Sequence, residues 1–262
     1  MKDKFVTYHC KNRIGFITMV RAEKRNALNP QLVNELKNSF ETAEKDETCK
    51  VIVLQAQGQA FCAGADLKYL QSLQSFSHQE NVADSSSLMQ LFKQIYTLEK
   101  VVIAKIQGHA IAGGCGLASV CDLSIASDDA KLGYSEVKIG FIPAIVSVFL
   151  LRKIGESKTK ELLLTGKTIS ATEAVSIGLI NQVVNKDVLD DTVHNIAEKL
   201  CHQASIQSLA STKKLIANLQ SMSLEDGLDY AIEENAKARV NEDCKNCLLY
   251  TSDAADDRVC VG

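Results

Sequence analysis

Two glycine-bearing stretches and one carboxylate hold the chemical possibilities of this sequence. The first stretch runs Ala60-Phe61-Cys62-Ala63-Gly64-Ala65-Asp66-Leu67. The second runs Gly108-His109-Ala110-Ile111-Ala112-Gly113-Gly114-Cys115-Gly116-Leu117, and each follows an apolar run. Glycine lets backbone approach a ligand closely, and a helix starting at Gly113 would point free N–H groups and a positive dipole end outward. Two such N–H groups from separate loops would make an oxyanion hole, able to hold a carbonyl oxygen as it gains charge. The third stretch, Gly133-Tyr134-Ser135-Glu136-Val137-Lys138-Ile139-Gly140-Phe141-Ile142-Pro143, sets a carboxylate beside apolar residues. Desolvation there would raise the pKa of Glu136 and suit it to proton transfer near neutral pH. Each feature has a plain structural alternative: glycines that only make turns, and a surface Glu136 paired with Lys138 or another lysine.

Other chemistries find less support. Neither glycine stretch is G-x-G-x-x-G and no G-x-x-x-x-G-K-[ST] occurs, so nicotinamide and P-loop nucleotide binding have no motif. His109, in the turn between strand and glycines, reads as a satisfied structural histidine. Cys244-Lys-Asn-Cys247 lacks a second cysteine pair, and no metal site is expected.

Four short apolar runs read as strands buried on both faces, at residues 15–20, 51–54, 101–104 and 123–126. Leu32, Val33, Leu36, Phe40 and Ala43 have amphipathic helical spacing, entered through Asn29 as N-cap and Pro30 as first helical residue. Ser170-Ala-Thr-Glu173 is a capping-box signature with Gly178 at the helix end. Helical patterns follow at 190–203, 205–220 and 224–241. The polar, serine-rich residues 71–87 read as a mobile surface segment. The expectation is an α/β core followed by a helical C-terminal portion.

The chain has 262 residues with a formal charge of −3, 46% hydrophobic and 23% charged residues. That is a globular balance able to bury a sizeable core, and it disfavours a dedicated nucleic-acid binder. The Lys213-Lys214 pair reads as a solvated face. The longest uncharged apolar stretch, residues 139–151 with Pro143 inside it, falls short of the ~20 residues a bilayer needs. The N-terminus lacks an apolar signal run, and nine irregularly spaced cysteines suit a reducing compartment, so a cytoplasmic protein is expected. Cys49, Cys62, Cys115, Cys121 and Cys201 read as small buried hydrophobes. Residues 247–262 carry no periodicity and resemble a translated sequencing adapter, a non-native tail.

Taken in order, five landmarks resemble the crotonase family, the enoyl-CoA hydratase/isomerase superfamily. They are Glu23-Lys24-Arg25-Asn26-Ala27-Leu28; Phe61-Cys62-Ala63-Gly64-Ala65-Asp66-Leu67; Ile106-Gln107-Gly108-His109-Ala110 running into Gly113-Gly114-Cys115; Cys121-Asp122-Leu123; and Leu164-Thr165-Gly166 with Ala174, Gly178, Leu179 and Val183. The resemblance covers residues 5–245. It implies an α/β fold of the crotonase, or ClpP-like, type with repeated ββα units. A core domain would occupy residues 1–195 and a C-terminal helical oligomerisation region residues 196–246, in a homotrimer or dimer of trimers. It implies an acyl-CoA thioester substrate and no separate cofactor. The oxyanion-hole donors carry over to the backbone N–H groups of Ala65 and Gly113, and the proton-moving acid to Glu136. CoA contacts carry over to Lys24, Ala27, Ala63, Ala65, Asp66, Leu67, Lys68, Gly113 and Gly114. Phe141 is expected on the acyl pocket, with Tyr69 and Ile142 beside it.

The departures from that pattern are informative. Hydratases of the family commonly carry a second glutamate after Gly-Gly-Cys, where this chain has Gly116. Ala112 replaces a common glycine, and residues 144–149 depart from a glycine-rich run. One carboxylate suffices for an enoyl-CoA isomerase. The wording from Glu136 to Pro143, however, is similar to methylglutaconyl-CoA-type hydratases, which favours hydration of an enoyl-CoA. A catalytically silent acyl-CoA-binding homologue is the third reading.

Overall fold

The computed structural model describes residues 4–245. It opens with a hairpin of β1 (Val6–Lys11) and β2 (Ile14–Met19), closed by Asn12 and Arg13, both at positive φ as a two-residue hairpin turn requires. Helix α1 (Pro30–Lys45) starts as expected, with the Asn29 side chain accepting from the Leu32 N–H at 2.9 Å and Pro30 in the first turn. It buries Leu32, Val33, Leu36, Phe40 and Ala43.

Three similar units follow. In the first, β3 (Val51–Ala56) and β4 (Ala60–Cys62) lead into α2 (Leu67–Ser72) and α3 (His78–Thr97). In the second, β5 (Val101–Ile106) and β6 (His109–Ile111) lead into α4 (Gly113–Ser119). In the third, β7 (Leu123–Ser127) and β8 (Lys131–Gly133) lead through a single turn at Glu136–Ile139 into α5 (Ala144–Thr165), which breaks at Gly155. The first strand of each unit joins a six-stranded sheet of order β1-β2-β3-β5-β7-β10, and the second joins a four-stranded sheet of order β4-β6-β8-β9. β9 (Thr168–Ser170), α6 (Ala171–Ser176) and β10 (Gln182–Val184) complete both sheets. Each turn of chain therefore adds one strand to each sheet, and the corresponding strands of successive units pair in parallel. This is the fold the repeated ββα reading implied.

The large sheet is buried on both faces, so alternate residues of one strand enter different cores. Ile52, Leu54, Val102 and Ala104 face the main core with α1 and α3. Val51, Val53, Val101, Ile103 and Ile125 face Leu189, Val193, Ala197 and Cys201 of α7 (Leu189–Gln203). Each fully buried aliphatic chain contributes roughly 1.5–3 kcal/mol, which makes α7 part of the core. A boundary after residue 195 would cut this helix. The helical region proper begins beyond it, with α8 (Ile206–Leu219) and α9 (Leu224–Val240). The suspected tail at 247–262 and Cys247 lie outside the described residues. The five cysteines read as buried hydrophobes are buried.

Two expectations are corrected. Residues 71–87 are largely helical: Ser77 caps α3, and its amide donates to the Glu80 carboxylate at 2.7 Å in a full capping box. Serine does not mark an irregular loop here, because Ser77 is a cap and the half-buried Ser87 hydroxyl accepts from Lys37 Nζ of α1 at 2.9 Å. Lys213 is not a solvated charge. Its side chain is 8% exposed and its Nζ donates to Asp122 at 2.7 Å and to the carbonyls of Ile95 and Lys100. It pins α8 to the last turn of α3, to the loop before β5 and to the residue before β7. Removing one partner of such a pair leaves a charge stranded in low dielectric. Lys213→Ala is therefore expected to cost about 3 kcal/mol in urea-unfolding free energy, while Lys214→Ala on the exposed side leaves the midpoint unchanged.

Candidate active site

The small sheet positions the candidate groups. Its three parallel strands β4, β6 and β8 lie side by side. Ala65 follows the carboxyl end of the first, Gly113 that of the second, and Glu136 that of the third. Ligand sites in parallel sheets gather beyond the carboxyl ends of strands, because the loops there leave in one direction.

Ala65 sits beside Leu28 in a parallel bridge. The Leu28 N–H donates to the Gly64 carbonyl at 2.7 Å, and the Asp66 N–H donates to the Leu28 carbonyl at 2.8 Å. In a parallel pair the residue between two bonded neighbours turns its own N–H to the opposite side. The Ala65 N–H thus faces away from Leu28, toward the β6–α4 loop. Gly64 holds φ +89°, and a Cβ there would lie 3.0 Å from both Ala112 Cβ and the Ile111 carbonyl oxygen. The two loops are in backbone contact. Ala112, at φ 52° and ψ −125°, turns the chain into α4 and leaves the Gly113 N–H at the helix start without an intrahelical partner. Gly114 is required by the same closeness, since a Cβ there would meet the Cys62 carbonyl oxygen at 2.3 Å. Neither the Ala65 nor the Gly113 N–H is engaged by another described residue.

Glu136 opens the turn after β8. Burial raises its pKa above the usual carboxylate value, and Oε2 is buried with no hydrogen-bond partner. Among the described residues Glu136 forms no ion pair with Lys138, whose side chain runs beside Gly166. A largely desolvated carboxylate, with one oxygen unpartnered, its only hydrogen bond among the described residues from its own backbone N–H, and within electrostatic reach of the Cys115 thiol on α4, is placed to take and return a proton. No second acid stands at the start of α4. A Cβ at Gly116 would meet Val146 Cγ1 at 2.4 Å and Phe92 Cε2 at 2.9 Å, so apolar side chains fill that position.

The remaining expected positions divide. The segments carrying Lys24 and Ala27 and carrying Ala63 to Lys68 run side by side, tied also by the Ala63 N–H to the Arg25 carbonyl at 3.0 Å. Lys24, Leu67 and Lys68 are exposed along this edge, while Ala27 is buried. Phe141 is half-exposed after Gly140. Asp66 is committed elsewhere: its carboxylate accepts from the Lys68 and Tyr69 N–H groups and pairs with Arg21 at 2.7 Å. Tyr69 donates its hydroxyl to Asp84, tying α2 to α3. His109 Nδ1 accepts from the Lys131 N–H at 3.2 Å, the structural role expected of it.

Sequence reasoning missed Arg21, Phe92 and Val146. Arg21 directly follows an apolar strand, which was the available signal that its guanidinium starts from buried backbone. Phe92 and Val146 carried none, since only the fold brings them to Gly116.

The Enoyl-CoA hydratase/isomerase family profile matches residues 9–249. The chain belongs to this family. A Thermus thermophilus protein carrying a provisional enoyl-CoA hydratase name is 40% identical over 235 residues, covering 90% of this chain and 92% of that protein. The mitochondrial enoyl-CoA hydratase of Pongo abelii is 32% identical, over 94% of this chain and 79% of its own length. A solved enoyl-CoA hydratase of Mycobacterium smegmatis superposes with a TM-score of 0.91 at 27% identity, covering 96% and 97% of the two chains. As a family member, the chain acts in the class of acyl-CoA chemistry. Among the described residues no helix is long and apolar enough to cross a membrane.

The packing at Gly116 gives a direct test. Gly116→Ala forces a methyl against Val146 and Phe92, and overpacking of this kind costs about 1–3 kcal/mol. Thermal melting is expected to show that loss, and Val146→Ala in the same background is expected to return part of it.

Proposed function

We propose that this chain adds water across the C2–C3 double bond of an enoyl-CoA thioester. The observation that supports this reading most is the placement of Ala65, Gly113 and Glu136 beyond one end of one small sheet, with both amides unengaged by described residues and one oxygen of the Glu136 carboxylate buried without a hydrogen-bond partner. The thioester oxygen accepts from the two N–H groups. Glu136 takes a proton from water as its oxygen bonds to C3, the electron pair moves to the thioester oxygen, and the enolate takes that proton back at C2. One carboxylate serves both transfers. Loss of one donor in related oxyanion holes costs on the order of 3 kcal/mol, which gives the scale of what the two amides contribute.

The CoA moiety belongs to the substrate, and no separate cofactor is needed for this sequence of steps. Lys24 and Lys68, exposed along the edge of the Ala65 loop, would meet its phosphates. Ala27, Ala63, Leu67 and Gly114 would line its path, and Phe141 would meet the acyl chain. The wording after Glu136 favours a short branched or carboxylated chain, and a cytoplasmic setting goes with this reading. A homotrimer or dimer of trimers is the assembly proposed. In the single chain Leu224, Leu228 and Ile232 form an exposed apolar stripe along α9, at 73%, 56% and 65% exposure. Such a stripe on a helix that buries little of itself suits a neighbouring subunit.

A second reading has its own observation. The filled space at Gly116 leaves one acid, and one acid is enough to move a double bond between C3–C4 and C2–C3. The two readings separate in one assay: hydration removes the conjugated-enoyl absorbance of crotonyl-CoA, and isomerisation creates it from a 3-enoyl-CoA. The expected result is loss with crotonyl-CoA. Binding of acyl-CoA without turnover of either would leave the silent homologue standing.

Glu136→Gln is expected to lower kcat/KM at least about a hundredfold, the usual scale for a general acid–base group. Since the ionised form starts the reaction and burial raises its pKa, the rate falls as pH drops through a value above the ordinary carboxylate range. That acid limb should vanish from the pH profile of Glu136→Gln. Ile232→Glu on α9 is expected to shift the assembled species toward monomer in sedimentation velocity.

A further inference from the structure

The Ala65 amide stands on a short loop that has no regular structure of its own, yet its direction has to be fixed if it is to bind an oxyanion. A closed ring of polar contacts surrounds that loop. Arg21, 8% exposed, donates from Nη1 to the Ala27 carbonyl at 2.8 Å and from Nη2 to Asp66 Oδ2 at 2.7 Å. Asp66 Oδ1 accepts from the Lys68 N–H at 2.9 Å and the Tyr69 N–H at 3.3 Å, holding the first turn of α2. The backbone closes the ring through Leu28, bonded to Gly64 on one side of Ala65 and to Asp66 on the other. Arg21 is itself held on every side. The Phe5 ring lies 4.9 Å from its Cζ, and the fully buried Asn26 accepts from its N–H at 3.0 Å while donating to the Gln57 and Ala60 carbonyls at 2.9 Å.

We propose that Arg21 and Asp66 form a positioning pair for the oxyanion hole, fixing the direction of the Ala65 N–H from behind without touching substrate. This rests on the reading of the Ala65 and Gly113 amides as thioester-oxygen donors, and it gives Asp66 a role different from the CoA contact that the family resemblance implied. The guanidinium suits the task because its planar fork reaches a carbonyl on one loop and a carboxylate on the next at once, which an ammonium cannot do. The carboxylate suits it because one oxygen caps α2 while the other takes the cation. Two loops that leave different strands thereby become one rigid unit, and the amide between them has a single orientation.

The test uses the full-length protein and a saturated short-chain acyl-CoA carrying ¹³C at the thioester carbonyl, followed by isotope-edited infrared spectroscopy. Asp66→Asn keeps an N-capping oxygen but loses the charge, and Arg21→Lys keeps the charge but loses the fork, so both are conservative enough to fold. Lys213→Ala, remote from the ring, serves as the variant that loses stability without altering it. In the parent protein the bound carbonyl stretch is expected below that of free acyl-CoA. In Asp66→Asn and Arg21→Lys it moves back toward the free value, kcat falls about tenfold, a fraction of the loss of a whole donor, and KM stays within a few-fold. Lys213→Ala keeps the parent band. A parent-like band in both ring variants overturns the positioning role, whether or not kcat falls with it. An unshifted band in the parent itself overturns the oxyanion-hole reading, a separate failure visible before any variant is made.

Discussion

Strands β4, β6 and β8 lie so close to the turns and helix that follow them that side chains have no room. A methyl at position 114, in the helix after β6, would meet the Cys62 carbonyl oxygen at 2.3 Å, and one at 133, the last residue of β8, would meet the Lys167 carbonyl oxygen at 2.5 Å. Backbone-to-backbone contact of this kind is what turns a small parallel sheet into a binding edge. It places three successive loops within one patch and lets main-chain amides, with no side chains interposed, form the surface a substrate would meet. The large sheet contributes rigidity more than chemistry. Its two cores fix the pitch of the ββα units, and the small sheet inherits that pitch.

The same closeness limits which positions have room for a carboxylate. The first turn of α4 is flush against β4 on one side and against α3 and α5 on the other, where Phe92 and Val146 occupy the volume beside Gly116. Phe92 meets Phe149 edge-on at 6.1 Å, and Tyr96 meets the same ring at 5.4 Å, so the wall behind that helix is aromatic and well packed. A carboxylate at position 116 would need this wall rebuilt. Glu136 faces no such competition, because the turn it opens carries exposed Val137, Lys138 and Ile139 outward and leaves its own carboxyl to point in. One acid in an apolar setting, with a pKa raised by desolvation, is the arrangement the packing permits.

Much of this was legible in the sequence, for reasons that can be named. The four apolar runs became β2, β3, β5 and β7, since strands buried on both faces show as unbroken hydrophobic stretches. Asn29-Pro30 marked α1, and Ser170 caps α6 by accepting from the Glu173 N–H at 3.1 Å, although the Glu173 carboxylate turns to Lys167 and not back to the cap. The three-residue strands β4, β6 and β8 were not legible as strands. They are too short for periodicity, and only the glycines around them betrayed their position. Charge was the least legible property. Lys213 looks like a surface residue in a one-dimensional reading, yet it is a buried anchor, and Asp66 is half of a largely buried pair with Arg21, because burial depends on partners distant in sequence.

Ala112 shows how firmly the site is held. A non-glycine residue at φ 52° and ψ −125° carries backbone strain of order 1–3 kcal/mol and persists only where its neighbours dictate the conformation. Here they do. The Ala112 N–H donates to the Gly133 carbonyl at 2.7 Å, its carbonyl accepts from the Gly116 N–H at 3.0 Å, and the residue before it is paired in register with Gly133. Both peptide planes flanking Ala112 are therefore fixed from outside, one by the sheet and one by the helix. The Gly113 N–H belongs to the second of these planes, so its direction is set before any ligand arrives. An amide aimed in advance needs no reorganisation when charge develops opposite it, and that is the condition under which a main-chain donor is most effective.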